Sequence, residues 1–512
     1  MGAGQISFGP FILDRGAQML LSGGRPIALG DRAFAVLDAL ASADGNVSRA
    51  DLMQAAWRGT IVEDGNLAVQ IAGLRRALGK RPDGTEWIRT APRVGYRLVR
   101  QQLPRVDTLP SLSASMRLPS VAILPFHNLS SDPEQDYFAQ GVVADIITAL
   151  SRFRLIRVVA LNASFKGRAA DARDVGQQLQ VRYVLEGSVR RARESLRITA
   201  QLIETETGAY LWSEHFDRPL ADVFAVQDEI TAKVVSIAEP LIRRAEIDRT
   251  RLKPPSSLDS YDLYLQALSL RTSTEPGSNG RASDLIERSL SLDPDFVPAL
   301  ATAAAVEASR FSRQLPGASE AARLRGIGYA ERVLASRTAD ADARALMSHA
   351  LIQLDEQYET GVAVARQTVA DNANSITVLT YAGISALRSC EFEAAETWFM
   401  RAIDLNAADI AGHWLLAGMA HLRTCQTRYE EAVSWAKRSL AVEPSSGIAM
   451  WWMMASLAHL GRVSEAAQWR GRLDEVLPGC TIASIRRGQA MRDPRYLERN
   501  LEGLRLAGLP ES

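Results

Sequence analysis

Apolar residues recur at helical spacing in the stretch 62–79. Four of them stand at positions i, i+4, i+7 and i+11, namely Leu67, Ile71, Leu74 and Leu78. This spacing puts them on one stripe of a helix, and that stripe must face a hydrophobic core. Gly79 follows directly and ends the predicted helix. Two short strands come next, at 87–90 and 96–99, and we expect them to form a hairpin.

The opposite face of this predicted helix is polar. It carries Asn66, Gln70, Gly73 and Arg76. Arginine pairs with guanine and amide side chains pair with adenine in the major groove of DNA. The glycine permits close approach to the groove. We therefore expect base contacts from Asn66, Gln70 and Arg76, with Val69 available to touch a thymine methyl group.

Further arginines lie in the last turn of the predicted helix and along the hairpin. They are Arg75, Arg89, Arg93 and Arg97. We expect mostly phosphate contacts from these four, which would position the domain without reading sequence. The whole chain has no net charge, so a basic patch must be local; residues 60–100 hold eight basic and four acidic side chains. A merely solvated basic face is the competing interpretation.

Two runs in this region carry a family resemblance. NLAVQIAGLRRALG at 66–79 and IRTAPRVGYRLV at 88–99 resemble the winged helix-turn-helix output domain of OmpR/PhoB-type regulators. The resemblance covers about residues 5–100 and implies a small antiparallel sheet before the first helix. Ala91-Pro92 stands where the family usually has Val-Arg, which removes one candidate phosphate contact.

The residues before the predicted helix at 62–79 fit this organisation. Short apolar runs separated by glycines at 5–30 predict the small sheet. Asp31 is expected to cap a first helix, and Ser48 is expected to start a second one. Trp57 is expected to lock that second helix into the core.

From residue 120 the pattern alternates between strands and helices. Strands are predicted at 121–126 and 155–161, helices at 136–153 and 174–180, then three strands and a long helix at 221–247. This order implies an α/β domain with a mixed sheet. The runs VAILPF, YFAQGVVADIITALSR, YVLEGSVRR and LWSEHFDR resemble the TolB-like N-terminal (FlgO-related) domain over about residues 119–245.

This middle region offers no strong chemical motif. The resemblance implies a fold and only weakly a role. Gly187 and Gly208 stand alone, without the neighbours that a phosphate-binding loop requires. His215 lies between Glu214 and Asp217, and we expect it to be ordinary surface and not a general acid or base.

Beyond residue 258 the chain becomes alanine-rich and a period of about 34 residues emerges. Five segments superimpose in register, and they end at Pro294, Ala373, Ala407, Pro444 and Pro478. The period resembles that of tetratricopeptide repeats, whose helical pairs form a solenoid with a concave binding face. The stretch 315–342 fits the pattern poorly. Trp451-Trp452 is expected in the core in preference to a binding surface.

The predicted architecture is a multidomain α+β protein. A winged helix DNA-binding domain occupies 1–100, and a proline- and serine-containing linker follows at 101–119. A central α/β domain with a mixed sheet is predicted at 120–250. An all-α tetratricopeptide solenoid is predicted at 258–500.

We expect a one-component bacterial transcription regulator that is not an enzyme. Nothing before residue 5 could hold a phosphoacceptor domain, and the resemblance is closer to CadC/ToxR and HilA-like regulators. The expected partners are double-stranded DNA and a protein or peptide on the solenoid. RNA polymerase and a second copy on DNA are further candidates. The alternative hypothesis is a repeat scaffold whose winged helix mainly contacts protein.

Other site classes are not expected. We predict no catalytic residues, no metal site and no cofactor, because no nucleophile motif, carboxylate cluster or metal-ligand spacing occurs. Four histidines of the repeat region are expected to be packing or groove residues: His349, His413, His421 and His459. The three cysteines, the lack of a secretory signal and the short apolar runs predict a cytoplasmic protein without a membrane span.

Overall fold

The computed structural model describes residues 5–8, 11–16, 19–22, 25–27, 29–43, 47–57, 65–79, 86–91, 95–98, 118–130, 134–159, 171–192, 195–219, 223–254, 257–271, 273–405 and 412–512. The chain divides into two compact units, Met1–Met116 and Arg117–Ser512. Each unit has its own hydrophobic core.

The first unit begins with a four-stranded antiparallel sheet in the order β1-β2-β3-β4. Its strands are β1 (Gln5–Phe8), β2 (Phe11–Asp14), β3 (Met19–Ser22) and β4 (Arg25–Ile27). Three helices follow, α1 (Asp31–Ser42), α2 (Arg49–Ala56) and α3 (Gly65–Leu78). A three-stranded sheet has the order β5-β7-β6, with β5 (Val47–Ser48), β6 (Ile88–Ala91) and β7 (Gly95–Leu98).

Local signals at the helix ends agree with the sequence in most places. Ser48 caps α2, and its side chain accepts a hydrogen bond from the Asp51 backbone N–H at 3.1 Å, as predicted. Trp57 is buried, also as predicted. The prediction for Asp31 was wrong, because Gly30 occupies the cap position and Asp31 lies in the first turn. There its carboxylate still faces the positive end of the helix dipole.

The second unit opens with a mixed sheet in the order β10-β8-β11-β12-β13. Strands β8 (Ser120–Ile123), β10 (Arg157–Val159) and β11 (Tyr183–Ala192) pair in parallel, and the short β9 (His127–Asn128) pairs in parallel with β11. Strands β12 (Ser195–Glu204) and β13 (Tyr210–Pro219) continue the sheet in antiparallel pairing. The mixed sheet is confirmed; β9 was not predicted, because two residues carry no period.

Three helices accompany this sheet: α4 (Glu134–Leu150), α5 (Ala172–Leu179) and α6 (Val223–Arg251). Helices α4 and α6 bury their apolar faces against one side of the sheet and form its main core. Residues of α5 belong to a smaller cluster with Ala122 and Val184. The sheet therefore has helices on both faces, as expected for an α/β domain.

The described residues between 260 and 506 form an array of seven helical hairpins. The first four are α7 (Ser260–Arg271) with α8 (Ser278–Leu292), α9 (Val297–Ser312) with α10 (Glu320–Ala335), α11 (Ala341–Asp355) with α12 (Tyr358–Asp371), and α13 (Ile376–Arg388) with α14 (Phe392–Leu405). The last three are α15 (His413–Cys425) with α16 (Tyr429–Val442), α17 (Gly447–His459) with α18 (Val463–Val476), and α19 (Ile482–Gly488) with α20 (Pro494–Leu506). The tetratricopeptide architecture is confirmed.

The second hairpin explains why the sequence period fails at 315–342. The residues that follow α8 and α10, Asp293 and Ser336, are 43 residues apart. A regular repeat has about 34. The extra residues include the connection 313–319 between α9 and α10, so the hairpin is present but its length hides it from a fixed period.

The mixed-sheet region packs directly on the array. Three side chains, from α6 and from the segment after α4, donate to backbone carbonyls at or just beyond the C-terminal ends of α10, α12 and α14. Arg154 donates to Arg337 at 3.2 Å, Arg152 to Asp371 at 3.4 Å, and Ser236 to Leu405 at 2.9 Å. The carbonyls of Asp371 and Leu405 are helix C-terminal groups, which lack partners within their own helix. Together the three bonds attach the sheet region to three hairpins.

Candidate nucleic-acid interface

Helix α3 divides into the two faces that the sequence predicts. Leu67, Ile71, Leu74 and Leu78 are all buried in the core of the first unit. On the other face Asn66, Gly73 and Arg76 are exposed, Gln70 is half-buried, and the side chain of Val69 is 65% exposed. The polar groups proposed for base contact are therefore accessible together along one helix face.

Arg75 is engaged within the first unit. Its Nε and Nη2 atoms donate to the Ile88 carbonyl at 3.0 and 2.8 Å, and Nη2 also donates to Thr90 Oγ1 at 3.0 Å. Nε lies 2.8 Å from a carboxylate oxygen of Glu86. These bonds fasten the last turn of α3 to strand β6. Its proposed contact with a phosphate stays a prediction.

The hairpin of β6 and β7 forms the wing beside the helix. The register pairs Arg89 with Arg97 and Thr90 with Tyr96, and Arg97 is exposed. For Arg89 only the strand register is described, and Arg93 lies outside the described residues. Cross-strand partners share one face of a hairpin, so the register places Arg89 and Arg97 at one position along the wing.

Strand β5 anchors the wing from the side. Ser48 pairs with Gly95 and Val47 with Tyr96. A Cβ atom on Gly95 would collide with the Val47 carbonyl oxygen, and its φ of +155° is rare for other residues. The glycine therefore allows the close strand pairing that holds the hairpin.

One exposed cation at this interface was missed from the sequence. The guanidinium carbon of Arg49, in the first turn of α2, lies 6.0 Å from the centre of the Tyr96 ring. Arg49 is exposed. Its nearness to the wing depends on the pairing of β5 with β7, which joins segments far apart in sequence. No local pattern signals it.

A helix with one buried apolar stripe, an exposed polar face and an adjacent basic hairpin defines a winged-helix DNA-binding domain. The family comparisons agree. Residues 24–98 match the family described as "Transcriptional regulatory protein, C terminal", and residues 117–233 match "HilA/YgeH-like transcriptional regulator, second domain". The chain thus joins an OmpR/PhoB-type winged helix to a HilA-like second domain. Both families are transcriptional-regulator domains and neither is an enzyme family.

Individual relatives share parts of the chain. "Putative adenylate cyclase 3" from Rhizobium meliloti (strain 1021) is 39% identical over 218 residues, which are 42% of this chain and 37% of that protein. TolB from Acinetobacter baumannii is 20% identical over 24% of this chain and 28% of its own, with a TM-score of 0.19. YrrB, a "TPR protein with an unusual peptide-binding site", is 16% identical in a match that covers 35% of this chain and 90% of the YrrB chain, with a TM-score of 0.25.

Two further observations concern the described residues as a whole. None of their helices combines the length and hydrophobicity that a bilayer span requires. Within the same residues, no group of three or more His, Cys, Asp and Glu side chains is placed to hold a metal ion. His215 lies exposed on β13, where we expected ordinary surface.

Proposed function

We propose that the protein is a sequence-specific transcription regulator that inserts α3 into the major groove. The exposed polar face of α3, with Asn66, Gln70 and Arg76 beside the open side chain of Val69, is the observation that supports this. Arginine and amide groups in this arrangement can read base edges, and Gly73 lets the helix approach closely. The wing then lies against the backbone.

In this proposal the arginines of the interface divide into two roles. Arg89, Arg93 and Arg97 contact phosphates from the wing, and the exposed Arg49 adds a cation next to them. Arg75 acts mainly by holding α3 and the wing together, because its guanidinium already has three protein partners. A phosphate contact from Arg75 would add to that role.

The second unit supplies control. The bonds from Arg152, Arg154 and Ser236 to three successive hairpins support this proposal, because a partner that changes the curvature of the array would move the HilA-like domain with it. We propose that such a partner, a protein or peptide, alters the spacing or availability of paired winged helices. RNA polymerase and a second copy on DNA are the proposed assembly partners, and the cytoplasm, where the target DNA lies, is the proposed location.

Catalysis has no place in this proposal. The cyclase name belongs to a relative of which this chain covers little more than a third. The competing proposal is a repeat scaffold whose winged helix mainly contacts protein, and loss of surface arginines from the helix and wing separates the two.

The test is genome-wide DNA occupancy of the tagged full-length protein. A double variant, Arg76→Ala with Arg97→Ala, should lose discrete occupancy peaks. Arg15→Ala is the matched control, since Arg15 is an exposed arginine of the same unit that pairs with Asp38 on α1. Peaks that survive in the double variant would contradict the proposed interface, and absence of wild-type peaks would favour the scaffold.

Control by the second unit needs its own comparison. Residues 1–116 and the full chain are tested on the operators that the occupancy experiment identifies. The proposal expects different affinity or spacing preference for the two proteins. Identical behaviour under every condition would refute control by the second unit and leave DNA binding intact.

A further inference from the structure

The first helices of six successive hairpins share one inner surface. Helices α7, α9, α11, α13, α15 and α17 all contribute side chains to a cavity of about 70 Å³. It adjoins a wider cavity of about 450 Å³, because Arg313, Trp414 and Ile448 line both. Together they have the dimensions of a small-molecule site with a narrow inner end.

The segment after α19 closes one side of the inner cavity. Gln489 donates to the Ser312 carbonyl at 3.0 Å, and Gln353 donates to the Gly488 carbonyl at 2.6 Å. Arg388 donates to the Ala490 carbonyl at 2.8 Å and to Gln489 Oε1 at 3.0 Å. Because the chain itself covers this part of the inner surface, the site favours a small ligand over an extended peptide.

The inner cavity is cationic. Arg271, Arg313 and Arg388 line it, and each has a buried Nε atom that finds no hydrogen-bond partner among the described residues. Arg388 is only 6% exposed. Across the described residues, neither the lining of this cavity nor any ion pair supplies these three guanidinium groups with a carboxylate. Buried charge without a counter-charge is costly, so an anion would be strongly favoured here.

The pKa values agree with this geometry. Burial lowers the pKa of Arg313 and of Arg388 to about 10. The pKa of His349 falls to about 3, first through burial and then through the charges of Arg388 and Arg271. His349 is therefore neutral at pH 7, and none of the described residues that line the cavity carries a carboxylate that would repel a bound anion.

Flat side chains surround the cations. The His421 ring stacks on Trp452 at 3.8 Å between centroids, and the guanidinium carbon of Arg313 lies 5.7 Å from the centre of the Trp414 ring. Tyr381 accepts a hydrogen bond from Arg271 and lies beside His349. Such walls suit an apolar or aromatic body attached to the anionic group.

We propose that the inner surface of the repeat array binds a small organic anion, a carboxylate or phosphate attached to an aromatic or apolar body. The anionic group lies among Arg271, Arg313 and Arg388, which can form paired hydrogen bonds with either headgroup. The body extends past Trp414 into the wider cavity.

The test is calorimetric titration of the full-length protein with three probes that share a phenyl ring. Phenyl phosphate and phenylacetate carry the two headgroups, and 2-phenylethanol is their neutral counterpart. The anions should bind at least tenfold more tightly than the alcohol, and the tighter anion identifies the headgroup. Arg313→Gln should weaken anion binding at least tenfold. Arg438→Gln, which removes an exposed arginine stacked 4.2 Å over Trp435, should change nothing.

Circular dichroism and the melting temperature establish that each variant is folded. If Arg313→Gln fails to fold, Arg271→Gln replaces it with the same expected loss. Failure of both anions to bind, equal binding of the alcohol, or unchanged binding in the folded variants would overturn the proposal. The titration contains no DNA, so such a failure would leave the proposed regulator function untouched.

Discussion

Replacement of Arg75 tests whether this side chain positions the wing or contacts DNA. In Arg75→Ala the Ile88 carbonyl and Thr90 Oγ1 lose a charged donor, and Glu86 loses its ion pair. Hydrogen bonds to charged groups contribute about 1.5–3 kcal/mol. The ion pair adds about 0–1 kcal/mol, because Glu86 is half exposed. We expect the substitution to destabilise the first unit by about 2–3 kcal/mol.

The assay measures two properties of residues 1–116. A loss of about 2–3 kcal/mol should lower the melting temperature by roughly 10 °C or more in a domain of this size. The slope of log K against log salt for DNA binding should stay close to that of the wild type. Arg97→Ala, which removes a proposed phosphate contact, is expected to show the reverse, since each such contact contributes about 0.9 to the slope.

Two further variants sharpen this test. Arg75→Lys keeps the positive charge but cannot reproduce the forked bonds to the wing, so it should retain much of the stability loss. Glu86→Gln should change the stability of the first unit little, because it removes only the ion pair with Arg75. If Arg75→Ala leaves the melting temperature unchanged while the salt slope falls by about 0.9, Arg75 is a phosphate contact and the positioning role is refuted.

Two other substitutions test the packing that supports the sites, and a third tests the pH dependence of stability. Phe399 is fully buried, and Cβ atoms placed on Gly383 and Gly418 would lie only 2.5 and 2.8 Å from its ring. Phe399→Ala should therefore lower the free energy of unfolding of the second unit in urea by about 3–5 kcal/mol. A loss below about 1 kcal/mol would refute tight packing around this ring. Gly95→Ala should destabilise the first unit by about 1–3 kcal/mol and weaken DNA binding, because the new Cβ meets the Val47 carbonyl; an unchanged melting temperature would contradict this. Burial raises the pKa of Glu239 from 4.5 to about 7, so the folded protein binds more protons between these values and its stability should fall as pH rises through that window. Glu239→Gln should flatten this pH dependence of the melting temperature, and an identical profile would show that another group is responsible.

The sequence predicts elements whose signal lies within one helix or one repeat. The three leucines and one isoleucine of the α3 stripe lie on one side of the helix in any tertiary arrangement, since the helical period alone decides this. All strands of the mixed sheet except the short β9, and the end of the last regular repeat near Pro478, were likewise predicted from local patterns in the sequence. The hairpin of α9 and α10 was missed because its long connection breaks the period without breaking the structure.

In the candidate interface, too, some features follow from local spacing and others only from tertiary contacts. The exposed positions of Asn66 and Arg76 follow from helical spacing, and the structure confirms that they are accessible. The partners of Arg75 lie on another strand, so spacing alone could show only that it was a basic residue beside a polar face. Arg49 was overlooked because only the pairing of β5 with β7 brings it to the wing.

By itself the sequence determined the winged helix, the mixed sheet and the repeating helical pairs, because each is encoded by periods of two, 3.6 or about 34 residues. Only the tertiary structure decided how distant segments meet. Arg152 and Asp371 are 219 residues apart, yet they join the HilA-like domain to the array. The cationic cavity likewise collects side chains from six helices, none of which shows a motif alone. Packing of whole helices fixes such contacts, and no short window of sequence contains both partners.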